Sequence, residues 1–123
     1  LMLSKRYRLT KDFQFRYVYR NGQSVRTKAV SLFFVKSKHP GLKIGISVSN
    51  KIGKACFRNR IKRRIRESVR ANLDKMFKGY NYVFVANNNF DFINSDYSTI
   101  LNYIEQAVEQ ANLIINASKQ KTL

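Results

Sequence analysis

The chain has one cysteine, one histidine, one proline and only seven acidic residues among its 123, and no apolar run approaches the roughly 18 residues that span a bilayer. Each shortage excludes something. A lone Cys56 cannot close an internal disulfide, which fits a reducing compartment and leads us to expect a cytoplasmic protein. Cys56 is read as a small buried or half-buried residue. His39 precedes Pro40 and Gly41, a turn signal, and has no second histidine or cysteine pair to share a zinc ion, so no metal site is expected. No lipid anchor or signal segment is recognised, and no membrane association is expected. Leu1, ahead of Met2, is read as a start-site artefact. Hydrolysis by two metal ions needs several carboxylates converging on ions about 4 Å apart, whereas the acids here are scattered. Asp91 and Asp96 share one loop, where a turn residue and a helix cap are the expected roles. No catalytic residue is assigned.

What the chain does have is positive charge, and on one side of the sequence. Residues up to Arg70 contain 20 Lys and Arg against Asp12 and Glu67, while the remainder carries four bases and five acids. Within Arg58 to Glu67 stand six cations in ten positions, with Ile61 and Ile65 four apart among them. On a helix, Arg58, Lys62, Arg66 and Arg70 form a cationic ridge with Arg63 beside it. Phe57, Ile61, Ile65, Val69, Leu73 and Phe77 form an apolar stripe able to dock on a sheet. So many like charges repel one another unless a polyanion answers them, and the usual polyanion is a phosphate backbone.

An apolar content of 44% over 123 residues suits one domain with a single core, residues 118–123 being expected to form a flexible tail. No repeat or low-complexity linker interrupts it. Thr10 is placed as the cap of a first helix running to about Arg20, ended by Asn21 and Gly22. Segments 28–36 and 43–49 read as strands, joined through 38–42 as an antiparallel pair, with a short extra strand near Val25. The basic helix is expected from Ala55 to Phe77 with Gly79 as its left-handed cap, followed by a strand at 82–86. A final helix from Ser95 or Asp96 to Ala117 shows a regular amphipathic pattern with Glu105 and Glu109 outward. The order predicts an α+β or α/β sandwich on one small sheet of about four strands with three helices.

The segment from Phe13 to Arg20 carries four aromatic residues. Phe15 and Tyr19 share one helical face, and Phe13 and Tyr17 nearly the opposite one. Both faces cannot be core. One pair packs on the sheet, and the other is available to line a trough where unpaired bases stack beside Arg16 and Arg20, with Phe33 or Phe34 as the facing wall.

The run from Gly45 to Gly53, the spacing Arg58, Asn59, Arg60, Lys62, Arg63 and Arg66, the opening from Arg8 to Phe13 and the strand 82–86 together closely resemble the protein subunit of bacterial ribonuclease P over roughly residues 6 to 115. The resemblance implies an α+β fold shared with the second domain of a ribosomal small-subunit protein, with a left-handed crossover around the basic helix, an exception to the usual hand. It implies the non-catalytic subunit of an endoribonuclease whose catalyst is RNA and which removes the 5′ leader of precursor tRNA. Carried over by motif, Arg58, Asn59, Arg60, Lys62, Arg63 and Arg66, with Lys51 and Lys54, would contact the catalytic RNA. Aligned on Gly22, Phe15, Tyr19 and Phe33 match the leader cleft, whereas alignment on Asp12 and Phe13 selects Phe13 and Tyr17. Mg²⁺ is implied for the holoenzyme, held mainly by RNA, with none bound tightly by this chain. The implied partners are ribonuclease P RNA and precursor tRNA, with no protein partner.

Asn50 and Asn87 stand where the family commonly has basic residues, which puts two local phosphate contacts in question. Arg64 occupies a variable position and is read as solvated surface. The alternative reading is a basic structural RNA-binding protein, such as a ribosomal component or an annealing chaperone, which explains the charge but not the aromatic trough. A DNA-binding helix would want a recognition helix with Asn or Gln set among fewer charges.

Overall fold

Alternating side chains along β-branched and aromatic strands give a sheet with two apolar faces, and the helices divide between them. The computed structural model describes residues 5–121; Leu1 lies outside them. In chain order stand α1 (Asp12–Asn21), β1 (Gln23–Arg26), β2 (Val30–Lys36), β3 (Lys43–Ser47), α2 (Ala55–Ala71), β4 (Tyr80–Ala86) and α3 (Tyr97–Lys121). Short 3-10 turns occupy Lys5–Tyr7, Asn50–Ile52 and Leu73–Lys75. This is the α+β arrangement of three helices and four strands that the sequence predicts. On one face Leu32, Phe34, Ile44, Tyr82 and Phe84 meet Ile61, Ile65 and Val69 of α2 and Ile100, Ile104 and Val108 of α3. On the other, Val83, Phe33, Val35 and Val85 pack with Leu9 and with Phe15 and Val18 of α1.

The expected hairpin between the second and third strands does not form. The sheet order is β1-β2-β4-β3, so β4 lies between β2 and β3. β2 runs antiparallel to β4, with Phe33 opposite Val83, and β3 runs parallel to β4, with Gly45 opposite Val83. Burial decides the order. The centre of β4, Tyr82 to Phe84, is inaccessible on both faces and belongs in the middle, whereas β3 ends in half-exposed Lys43 and Ser47 and suits an edge. The 38–42 connection crosses the start of β4: Ser37 N–H donates to Gly79 O at 2.7 Å, and Gly79 N–H to Gly41 O at 3.0 Å. Gly79 holds φ +81° in this crossing, a left-handed conformation, and does not cap α2. Parallel β3 and β4 then need a long crossover, and α2 supplies it.

Helix ends also depart from the expected positions. Gln14 Oε1 accepts from the amides of Thr10 and Lys11, both at 3.0 Å, so α1 starts at Asp12 with Lys11 as its cap residue in place of Thr10. α2 stops at Ala71, six residues before Phe77, because buried Asn72 turns back: its Nδ2 donates to Ser68 O at 2.9 Å and the chain tightens into the Leu73–Lys75 turn. Phe77 N–H donates to the hydroxyl of buried Tyr82 at 3.1 Å, and burial pushes that phenol up to about 12. Asp96 caps α3 as expected, accepting from Thr99 N–H at 2.9 Å, and α3 continues past Ala117 to Lys121, through positions expected to be tail.

Arg64, expected to be solvated surface, fastens α2 to the loop before α3. Its guanidinium donates to the carbonyls of Phe92 and Ser95 at 3.2 and 3.3 Å. The position explains this: residue 64 follows Ile61 by three and precedes buried Ser68 by four, so it flanks the buried stripe. Arg64→Ala is expected to cost about 1.5–3 kcal/mol of stability, the range for a charged hydrogen-bond donor, whereas exposed Arg60→Ala stays within about 0.5 kcal/mol of the parent. Urea unfolding of the two variants checks this, and equal midpoints would refute the clamp.

Candidate nucleic-acid interface

The apolar stripe of α2 dictates where its charges go. With Ile61, Ile65 and Val69 buried, Asn59, Arg60, Arg63 and Arg70 reach solvent, while Arg58, Lys62 and Arg66 lie half-buried along the border with the sheet. Lys51 and Lys54 are exposed just ahead of the helix, Lys54 being its cap residue. Among the described residues no cation from Lys51 to Arg66 sits in an ion pair; Lys75 and Glu105, 3.4 Å apart, form one elsewhere. The positive face is therefore left unneutralised from within. Burial lowers the affinity of Arg66 for its proton, and the nearby charge of Arg8 lowers it further. A partner anion would relieve both.

Asn50 orients Arg58. The Asn50 side-chain oxygen accepts from the Arg58 guanidinium, whose Nε is shielded from water without a partner among the described residues. Ser49 Oγ in turn accepts from Lys51 N–H at 3.2 Å, which shapes the turn that presents Lys51. Asn87 is fully used inside the protein: it accepts from Ser31 Oγ at 2.9 Å and donates to the carbonyls of Thr27 and Lys28 at 2.8 and 3.3 Å. Asn50 and Asn87 thus each hold neighbouring elements in place. Cys56, expected to be at least half-buried, points into solvent on the first turn of α2.

The aromatic alternatives separate cleanly. Phe15 and Tyr19 turn toward β3 and line, with Asp12, Arg16, Ile46, Ser47, Val48 and Lys62, a trough of about 360 Å³. Tyr19 meets Phe33 edge to face with ring centres 5.0 Å apart, so Phe33, not Phe34, stands on this side. Phe34 faces the opposite layer and packs with Tyr82. Phe13 and Tyr17 are 60% and 53% exposed on the outer side of α1. Burial raises the Tyr19 phenol above its ordinary value, against the opposing effect of a hydrogen bond with the Ser47 side chain. Lys62 lies on the wall of the trough, so the basic helix and the aromatic surface share a border.

Asp91 and Asp96 are spent on local turns. Asp91 accepts from the amides of Ile93 and Asn94 and from Asn94 Nδ2, and these bonds, the Asn94 side chain first, hold its carboxyl below the usual range. The Thr99 amide and hydroxyl do the same for Asp96. Among the described residues no three His, Cys, Asp or Glu side chains converge. His39 serves its own turn, its Nδ1 accepting from Gly41 N–H at 3.0 Å.

One contact that the sequence reading missed shapes the trough floor. A Cβ on Gly45 would lie 2.6 Å from Cε2 and Cζ of Phe15, so only glycine lets the ring lie on β3. A glycine inside an otherwise β-branched strand was the available signal. Gly45→Ala is expected to lower stability by about 1–3 kcal/mol through overpacking, and Phe15→Leu added to it should return part of the loss. Thermal unfolding of the single and double variants measures this; additive losses would show that the two residues do not meet.

The comparisons with known proteins can be set against this geometry. The family model described as Ribonuclease P matches residues 3–112. A ribonuclease P protein component of Clostridium botulinum (strain 657 / Type Ba4) is 40% identical over 108 residues, covering 84% of this chain and 96% of that protein. That of Clostridioides difficile (strain 630) is 46% identical over 79 residues, covering 63% and 69% respectively. Among solved structures, the Staphylococcus aureus RNase P protein superposes with a TM-score of 0.76 at 28% identity, covering 85% of this chain and 94% of its own. The Thermotoga maritima RNase P protein gives 0.72 at 26%, covering 89% and 96%. With a family model spanning most of its length and the same fold in solved members, the chain belongs to the ribonuclease P protein family.

Proposed function

We propose that this chain binds the catalytic RNA of ribonuclease P through α2 and the turn before it, and holds the single-stranded 5′ leader of precursor tRNA in the trough beneath α1. The observation that carries the reading is the shared border: Lys62 of the basic helix forms one wall of a trough whose other walls are Phe15 and Tyr19. An RNA seated on the outer face, at Asn59, Arg60 and Arg63, then lies beside a strand whose bases stack on the aromatic rings. Lys51, Lys54, Arg58 and Arg66 extend the phosphate contacts on either side. The protein acts by position: ordering the leader next to the catalytic RNA favours precursor over mature tRNA, and the cationic face lets a folded polyanion assemble with less Mg²⁺.

Asp91 and Asp96 use their oxygens in turns, and among the described residues no three acidic, His or Cys side chains converge as a resident catalytic metal would need. Mg²⁺ would be held by the partner RNA and the substrate phosphates, where it supplies the activation of water for phosphodiester hydrolysis. Every contribution from this chain is binding and orientation.

Cleavage of a 5′-labelled precursor tRNA at low Mg²⁺ by a bacterial ribonuclease P RNA, with and without the protein, tests the proposal. Cleavage at the mature 5′ end that depends on the protein is expected. Tight RNA binding with no restored cleavage would favour a general RNA-binding protein instead. Phe15→Leu keeps apolar volume in the core and removes the ring, so precursor binding should weaken by about 1 kcal/mol, the low end for a stacked base, while binding of leaderless tRNA is unchanged. Arg60→Ala should lower the log–log salt slope for binding the catalytic RNA by about 0.7–0.9, one phosphate contact. Filter binding across a salt series reads both.

A further inference from the structure

Tyr97 opens α3, and its spacing from Ile100 and Ile104 places it on the apolar stripe of that helix. Ile100 and Ile104 are inaccessible, yet Tyr97 is 42% exposed. The neighbouring rings are occupied with one another: Phe90 packs edge to face with Phe92 at 4.7 Å and with Tyr103 at 5.6 Å. Among the described residues Tyr97 meets no second ring and no stacked cation, and its hydroxyl makes no hydrogen bond.

Glu67, Arg70 and Ala71 of α2 line, with Tyr97, an open hollow of about 500 Å³ between the two helices. Steps of three and four residues put Arg60, Arg63, Glu67 and Arg70 along one side of α2, and the three arginines are exposed. Glu67 forms no ion pair among the described residues. The walls are set before any ligand arrives. Arg64 holds the loop ahead of Tyr97 through the Phe92 and Ser95 carbonyls, Ser95 Oγ donates to Asp91 O at 2.6 Å, and Asp96 caps α3.

An aromatic ring left open beside a row of cations suits a nucleotide, with the base on the ring and a phosphate on a guanidinium. The Glu67 carboxylate repels phosphate and accepts from the N–H groups of a base edge, so Glu67 belongs on the base side and Arg70 on the phosphate side. Glu67 lies roughly 140° around the helix from Lys62, which puts the hollow on the far flank of the basic face from the trough. A strand of the RNA seated on Arg60 and Arg63 reaches it without entering the trough. We propose that this hollow takes one unpaired nucleotide of the catalytic RNA, its base stacked on Tyr97 and its phosphate held by Arg70. The inference rests on reading α2 as the seat of that RNA, and it extends the contact onto the start of α3.

The chain has no tryptophan, so Tyr97→Trp and Leu113→Trp each give a single fluorophore, the second at a 72% exposed position roughly 24 Å further along α3. On titration of the full chain with a bacterial ribonuclease P RNA, the Tyr97→Trp protein should be quenched as its indole stacks, and the Leu113→Trp protein should not. Tyr97→Leu should weaken binding of that RNA at least about fivefold, the low end for one stacked base. Arg70→Ala should lower the log–log salt slope by about 0.7, one phosphate contact on a single strand. Parent affinity in Tyr97→Leu refutes the subsite even where Arg60→Ala weakens binding, and so does an unquenched Tyr97→Trp protein. If Tyr97→Leu acts while Arg60→Ala is silent, the subsite stands and the α2 reading falls. Quenching by precursor tRNA and not by the catalytic RNA would overturn the assigned occupant.

Discussion

The docking of the α2 stripe onto the sheet and α3 is the interaction on which everything else depends. Ile61, Ile65 and Val69 are essentially inaccessible, and burying three such side chains contributes on the order of 5–9 kcal/mol. Opposing it is the crowding of six cations into ten residues, where like charges about 4 Å apart in water repel by about 1 kcal/mol per pair and less once screened by salt. Burial wins, and because it fixes the rotation of the helix it also fixes which cations face outward. The chain thus holds an unneutralised positive face at a modest cost in stability that a bound polyanion would offset.

The same docking explains why the sheet is wired as it is. α2 spans the crossover between parallel β3 and β4, so the helix that carries the charge is tied at both ends to the strand that floors the trough and to the strand at the centre of the core. Arg64 adds a lateral tie to the 92–95 carbonyls, and Asn50 holds Arg58 at the N-terminal end. Membership of the ribonuclease P protein family supplies the partner class, and the proposed function gives the basic face to the catalytic RNA and the trough to the leader. Lys62 lines the trough, so the two proposed surfaces adjoin while using different side chains.

Much of this was legible in the residues because local pattern and burial agree there. The period of Ile61, Ile65 and Val69 marked α2, the β-branched and aromatic residues of 28–36 and 82–86 marked strands, and Ser95 or Asp96 marked the start of α3. Pairing of β2 with β3 was misread because a short connection between two strands usually means a hairpin; only the higher burial of β4 and its backbone bonds through Gly79 reverse that. The end of α2 was misread because apolar spacing continues to Phe77, while the side chain of Asn72 ends the helix by competing for its carbonyls. The open choice between Phe15 with Tyr19 and Phe13 with Tyr17 required knowing which face of α1 meets the sheet, and the missing side chain of Gly45 answers it. Side-chain to backbone ties such as those of Arg64 and Asn87 join positions 28 to 60 residues apart, beyond the reach of any local pattern.

The most direct measurement of the central claim, that one rigid scaffold carries a phosphate-binding face and a separate base-stacking trough, is a double-mutant cycle of Arg60→Ala and Phe15→Leu on precursor tRNA binding by the holoenzyme. Sites that act through different parts of the RNA and share no side-chain partner should add to within about 0.5 kcal/mol. Coupling well above that would contradict the account, showing that the two residues serve one undivided site.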